Sequence, residues 1–116
     1  MPAPSEDALL VQRMRQGDTE VGSCFVRDYY AGIYRYLLYL TGHPQAAEDL
    51  TQETFLQAWR SLATFDESAS LRPWLHRIAH REFLQALRRQ RRAPAEWAIA
   101  SLEEIAEAVI CCVAWY

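Results

Sequence analysis

Arg77, Arg81, Arg88 and Arg92 are spaced 4, 7 and 4 residues apart, so on a helix they share one face, with Gln85 between them. A guanidinium is planar, donates in pairs and keeps its charge, so an all-Arg stripe suits phosphates and base edges. Arg72, Arg89 and Arg91 flank the stripe, and His76 and His80 lie beside it. The competing readings are a solvated amphipathic face and a surface for an acidic protein partner. Against the solvated face, Glu82 is the one acid within that helix able to pair with these arginines.

Asp49, Gln52 and Glu53 form a second constellation, at i, i+3 and i+4. Paired carboxylates carry acid–base chemistry in some enzymes. Here no nucleophile, metal-ligand set or Gly-rich loop accompanies them, so the chain is not read as an enzyme. The patch instead suits basic side chains of a protein partner, or simply keeps the surface soluble. His76 and His80 have the four-residue spacing of helical metal ligands, but HRIAH lacks a Glu beside its first His and a third ligand. No metal or other cofactor is expected. Cys24 stands alone, and the adjacent Cys111 and Cys112 suit neither a mutual disulfide nor a CxxC knuckle. A reducing, cytoplasmic setting is the default.

Helices must position these groups. Gly occurs only at 17, 22, 32 and 42 and Pro at 2, 4, 44, 73 and 94, and no long stretch alternates as a strand does. Asp7 is expected to cap a first helix running to about Gln16, with Leu10, Val11 and Met14 inward and Gly17-Asp18 as its stop. Phe25, Tyr29, Ile33, Leu37 and Leu40 stripe a second helix over 19–41, broadened by Tyr30, Tyr34 and Tyr36. Gly42 suits its C-cap and Pro44 the first turn of a third helix over about 45–63. There Ala47, Leu50, Thr54, Ala58 and Leu62 face inward, and Trp59 reads as core. A polar segment, 64–73, precedes a fourth helix to about Arg91, with Leu75, Ile78, Ala79, Phe83, Ala86 and Leu87 inward. Trp74 and Phe65 either close the core under that segment or lie against an unstacked base, with core favoured for both. Ser101 and Glu104 have the capping-box spacing for a short acidic helix that turns into the apolar AVICCVAWY.

The expected fold is therefore all-α, a compact bundle of about four helices. At 116 residues there is room for one domain of ordinary size. No apolar stretch approaches the roughly 20 residues needed to span a bilayer, so no membrane insertion is expected, and MPAPSEDALL lacks the basic start of a signal peptide. The net charge of −3 argues weakly against indiscriminate nucleic-acid coating, but it conceals segregation. Residues 1–59 carry four Arg against eight acids, 60–92 eight Arg against three, and 93–116 four Glu and no base. All twelve basic residues are Arg.

AEDLTQETFLQAWRSLATFD (47–66) followed by LRPWLHRIAHREFLQALRRQRR (71–92) resembles region 2 of the bacterial sigma-70 family, in the compact form of the extracytoplasmic-function (ECF) group. YRYLLYLTGHPQAAEDL (34–50) is similar to that group's approach to the polar helix, and the likeness extends over about residues 8–92. The resemblance implies a sigma region 2 bundle over 1–92, followed by a linker and short terminal helix over 93–116, with the second, −35-binding domain absent. It implies that Asp49, Gln52 and Glu53 dock on the beta-prime clamp helices of core RNA polymerase. It places a base flipped from the promoter −10 element at the loop holding Phe65, Asp66, Ser68 and Ser70. Contacts to that DNA fall to Arg72, Arg77, Arg81, Arg88, Arg89, Arg91 and Arg92. The implied function is promoter recognition and melting, with an anti-sigma factor as a further partner. The alternative is a sigma-like module that sequesters an anti-sigma factor without touching DNA.

Overall fold

A computed structural model of the chain describes residues 3–90, and every regular element among them is helical. The expectations for 93–116, and those for Arg91 and Arg92, lie outside the described residues. The elements are α1 (Glu6–Arg15), α2 (Thr19–Thr41), α3 (Pro44–Arg60), a 3-10 turn (Leu62–Thr64) and α4 (Leu71–Gln90).

The ends of the helices follow local chemistry. The Ser5 hydroxyl accepts the Ala8 N–H at 3.1 Å, so Ser5 and not Asp7 caps α1. Gly17, at φ 84°, turns the chain, and Asp18 opens α2 by accepting the Val21 N–H at 3.2 Å. Gly42 closes α2 in the left-handed region, at φ 65°, with its N–H donated to the Leu38 carbonyl at 2.8 Å. His43 then caps α3 by accepting the Ala46 N–H at its Nδ1, with Pro44 in the first turn. α3 stops at Arg60, short of the expected Ala63, because the chain tightens into the 3-10 turn.

α2 lies at the centre of the bundle. It packs on α1, α3 and α4, and α3 packs on α4 as well. Ile33, Leu37, Leu40, Leu71 and Leu75 are wholly buried. Burying each such side chain contributes roughly 1.5–3 kcal/mol relative to exposure. Phe55 of α3 meets Phe25 edge-on and stacks on Tyr30, which ties α3 to α2. The buried Thr51 and Thr54 hydroxyls donate back to the Ala47 and Leu50 carbonyls, so they enter the core with their polar atoms satisfied.

Trp59 corrects the expectation of a core residue, since it is 45% exposed. It lies seven residues, about two turns, after the exposed Gln52, which places the two at nearly the same phase on the outer side of α3. Its cover comes from α2. A side-chain carbon added at Gly22 would come within 3.0 Å of the indole ring, so the ring needs a glycine there. No described helix is long and apolar enough to cross a membrane.

Candidate nucleic-acid interface

α4 buries Leu71, Leu75, Ile78, Ala79, Phe83 and Ala86 along one side. At about 100° per residue this turns Arg77, Arg81 and Arg88 to the opposite side, and all three are exposed, as is Arg89 at its edge. Leu84, 37% exposed, sits between Arg81 and Arg88 on the same face, an apolar member absent from the sequence expectation.

Arg72 departs from the stripe. It precedes Arg77 by five residues, which sets it roughly 140° around the helix and toward the core side. Its guanidinium lies over the Tyr29 ring, 5.1 Å from the centroid, and passes close to Gly32. This residue joins α4 to α2. The histidines also point inward. His76 is buried and its Nδ1–H donates to the Arg72 carbonyl at 3.0 Å, while His80 Nδ1 is hydrogen-bonded to the Tyr36 hydroxyl at 2.9 Å. Burial holds the His76 pKa below its ordinary value, and the neutral ring leaves its buried Nε2 without a partner. Among the described residues no group of His, Cys, Asp and Glu is arranged to hold a metal ion.

The loop before α4 is shaped at Asp66. One of its carboxylate oxygens accepts the Ser68 N–H at 2.9 Å and the Ser68 hydroxyl at 2.8 Å, and these bonds lower the Asp66 pKa. Asp66, Ser68 and Ser70 are exposed. Phe65 is not. It is buried and meets Trp74 edge-on with centroids 5.0 Å apart, so both rings close the core under the loop. The Phe65 ring therefore does not lie on the exposed face of the loop, because an apolar ring gains more from burial than from water.

α1 reaches this loop from a distant part of the chain. Arg15 Nε donates to the Leu62 carbonyl and Nη2 to the Phe65 carbonyl, each at 2.8 Å, and Nη1 meets the Glu67 carboxylate at 3.0 Å. Gln12 also donates to Glu67. The Asp7 carboxylate accepts the first N–H of α4, from Leu71, at 2.9 Å. Nothing in the residue spacing announced these roles.

On α3, Asp49, Gln52 and Glu53 are exposed together. Leu56, 43% exposed, continues that face three residues beyond Glu53 and was missed because an isolated Leu reads as core. Gln45 donates to Asp49 at 3.2 Å. The face is acidic at one end and apolar at the other, a composition suited to a basic, partly apolar protein surface.

The family described as Sigma-70 region 2 matches residues 25–93. RNA polymerase sigma factor YlaC of Bacillus subtilis is 44% identical over 63 residues, which are 54% of this chain and 36% of that protein. The ECF RNA polymerase sigma factor SigG of Mycobacterium tuberculosis is 47% identical over 68 residues, 59% of this chain and 17% of that protein. SigK of Mycolicibacterium vanbaalenii is 34% identical over 88 residues, 75% of this chain and 44% of its own length. The chain thus spans less than half the length of these curated relatives. Among solved structures, an engineered region 2 of sigmaE in complex with GTAAAA superposes with a TM-score of 0.67 at 29% identity, covering 79% of this chain and 96% of that one.

Proposed function

The chain belongs to the Sigma-70 region 2 family, and from that premise we propose that it docks on core RNA polymerase and recognises and melts the promoter −10 element. The carrying observation is the exposed face of Arg77, Arg81 and Arg88, which continues from a loop whose Asp66, Ser68 and Ser70 face solvent. That the structural relative was solved in complex with GTAAAA supports a nucleic-acid ligand for this fold. In this reading the arginines follow the phosphates of the separated strand, and the loop receives an extruded base. Asp49, Gln52 and Glu53, extended by Leu56, meet the beta-prime clamp helices. The work is binding and strand separation in the bacterial cytoplasm, with no chemical step assigned to the chain. An anti-sigma factor is the proposed regulatory partner, while the exposed arginine face favours DNA binding over sequestration alone.

The test pairs two variants. Arg77→Ala with Arg81→Ala should weaken single-stranded DNA binding in fluorescence anisotropy and flatten its dependence on log salt by about 1.4, the release expected for two phosphate contacts. Capture of core polymerase should persist. Charge reversal at Asp49 and Glu53 should give the reciprocal result with helical circular dichroism unchanged. Wild-type DNA binding that ignores salt overturns the stripe's role.

A further inference from the structure

We propose that α1 is the positioning element of the base-receiving loop, and that Arg15 is its principal residue. The inference rests on the reading of that loop given above and deepens it. α1 lies outside the segment 25–93 that the family matches, so the role belongs to contacts made by this chain.

The loop holds part of itself, since Asp66 accepts the Ser68 N–H at its carboxylate and the Ala69 N–H at its carbonyl. Between α3 and α4 only Leu62 and Phe65 are buried, while Asp66, Glu67, Ser68 and Ser70 are exposed. The loop is also fixed from outside, at backbone atoms of its entry and exit and at the Glu67 side chain in its middle. A single Arg15 guanidinium spans the Leu62 and Phe65 carbonyls and the Glu67 carboxylate, using its Nε, Nη2 and Nη1 donors. Because that fork is planar and rigid, it sets the distance between the two carbonyls, which a lysine ammonium cannot do. Gln12 adds a second donor to Glu67. Asp7 holds the exit by accepting the Leu71 N–H. All three side chains come from α1, and the atoms they grip leave the side chains of Asp66, Ser68 and Ser70 unobstructed by these bonds.

Such bracing matters to a loop that receives a base. Extrusion of a base costs a few kcal/mol before the pocket returns any contact. Ordering the loop at the same moment would add about 1–2 kcal/mol for each residue fixed. A loop held beforehand avoids that cost, and the gain falls on base discrimination. The phosphate contacts on α4 are independent of it. Loss of Arg15 should therefore lower selectivity and leave general affinity alone.

The experiment uses the full chain and two readouts. Single strands selected from a randomised library are compared with the unselected library by fluorescence anisotropy, and 15N relaxation follows the backbone amides of the loop. Arg15→Ala should lower the preference for selected strands by about tenfold, the ratio that the ordering of one loop residue corresponds to. Affinity for the unselected library should hold, and the Glu67, Ser68 and Ala69 amides should become mobile. Arg15→Lys should not restore the preference. Glu67→Ala, which removes only the side-chain anchor, should give a smaller loss in the same direction. Unchanged loop amides in Arg15→Ala overturn the proposal, and so does an equal loss of affinity for both strand sets. Where wild type itself shows no preference, the base-receiving role falls. The amides then still decide whether α1 positions the loop: mobile in Arg15→Ala supports it, unchanged overturns it.

Discussion

α4 and the loop that leads into it are contiguous in sequence, yet they are held in place by opposite means. α4 is placed by its own period, since Leu71, Leu75, Ile78, Ala79, Phe83 and Ala86 recur on one side and seat it against the bundle. The outward direction of Arg77, Arg81 and Arg88 is a consequence of that seating. The loop has no period. Its carbonyls and its exit amide are gripped by α1 residues 47 to 64 positions away in the chain. A helical face can therefore be altered one residue at a time, whereas the loop depends on residues of a helix remote in sequence.

Attacking the seating of α4 gives the largest effect. Leu75 is wholly buried, and Leu75→Ala should cost about 2–5 kcal/mol in urea denaturation. Loop and helix should lose amide protection together, because the loop's exit is anchored to the first turn of α4 through Asp7. Loop protection that survives after α4 has opened would break the contrast, showing that α1 and the loop form a unit without the helix.

The anchor itself comes next in size. Asp7→Ala leaves the Leu71 N–H without its acceptor and should lower stability by about 1 kcal/mol, the usual worth of a helix N-terminal cap. Asp7→Asn retains an accepting oxygen and should lose less in thermal unfolding. Equal losses in the two variants would assign the effect to the negative charge at the helix N-terminus and not to the hydrogen bond.

The same contrast explains what was legible from sequence. The helices, their breaks at Gly17 and Gly42, the acidic face of α3 and the arginine face of α4 all rest on spacing within one element. The departures are of two kinds. Arg72 and Trp59 were grouped by neighbourhood when helical phase already separates them, Arg72 from Arg77 and Trp59 from the buried side of α3. Their positions were available in the sequence to stricter arithmetic. Asp7 and Arg15 are different. Asp7 looked like a local cap and Arg15 like a helix-terminal cation, and only the folded chain brings them to Leu71, Leu62 and Phe65. Local propensity carries no signal for a partner at such a distance.

The smallest expected effect tests how strictly period governs α4. Glu82 is buried, because its phase belongs to the inward side despite its charge. Burial raises its pKa first and the Glu53 carboxylate second, against the opposing pull of Arg89 and Arg81. The folded state therefore holds the Glu82 proton to higher pH than the unfolded chain, whose ordinary value is 4.5. The sign follows from linkage: the contribution of Glu82 is fully present below that value and is lost as pH rises through the raised folded value. Glu82→Gln removes this loss, so its thermal midpoint should match wild type near pH 4 and exceed it slightly near pH 7. His76 changes in the other direction, since its lowered pKa makes the fold less stable as pH falls below 6.5. Both proteins share His76, so it cancels in the difference between them. A Glu82→Gln variant less stable than wild type at pH 7 would mean that the carboxylate is an attractive partner for Arg81 or Arg89 after all. α4 would then be seated by charge as well as by period, and its separation from the loop's mode of support would narrow.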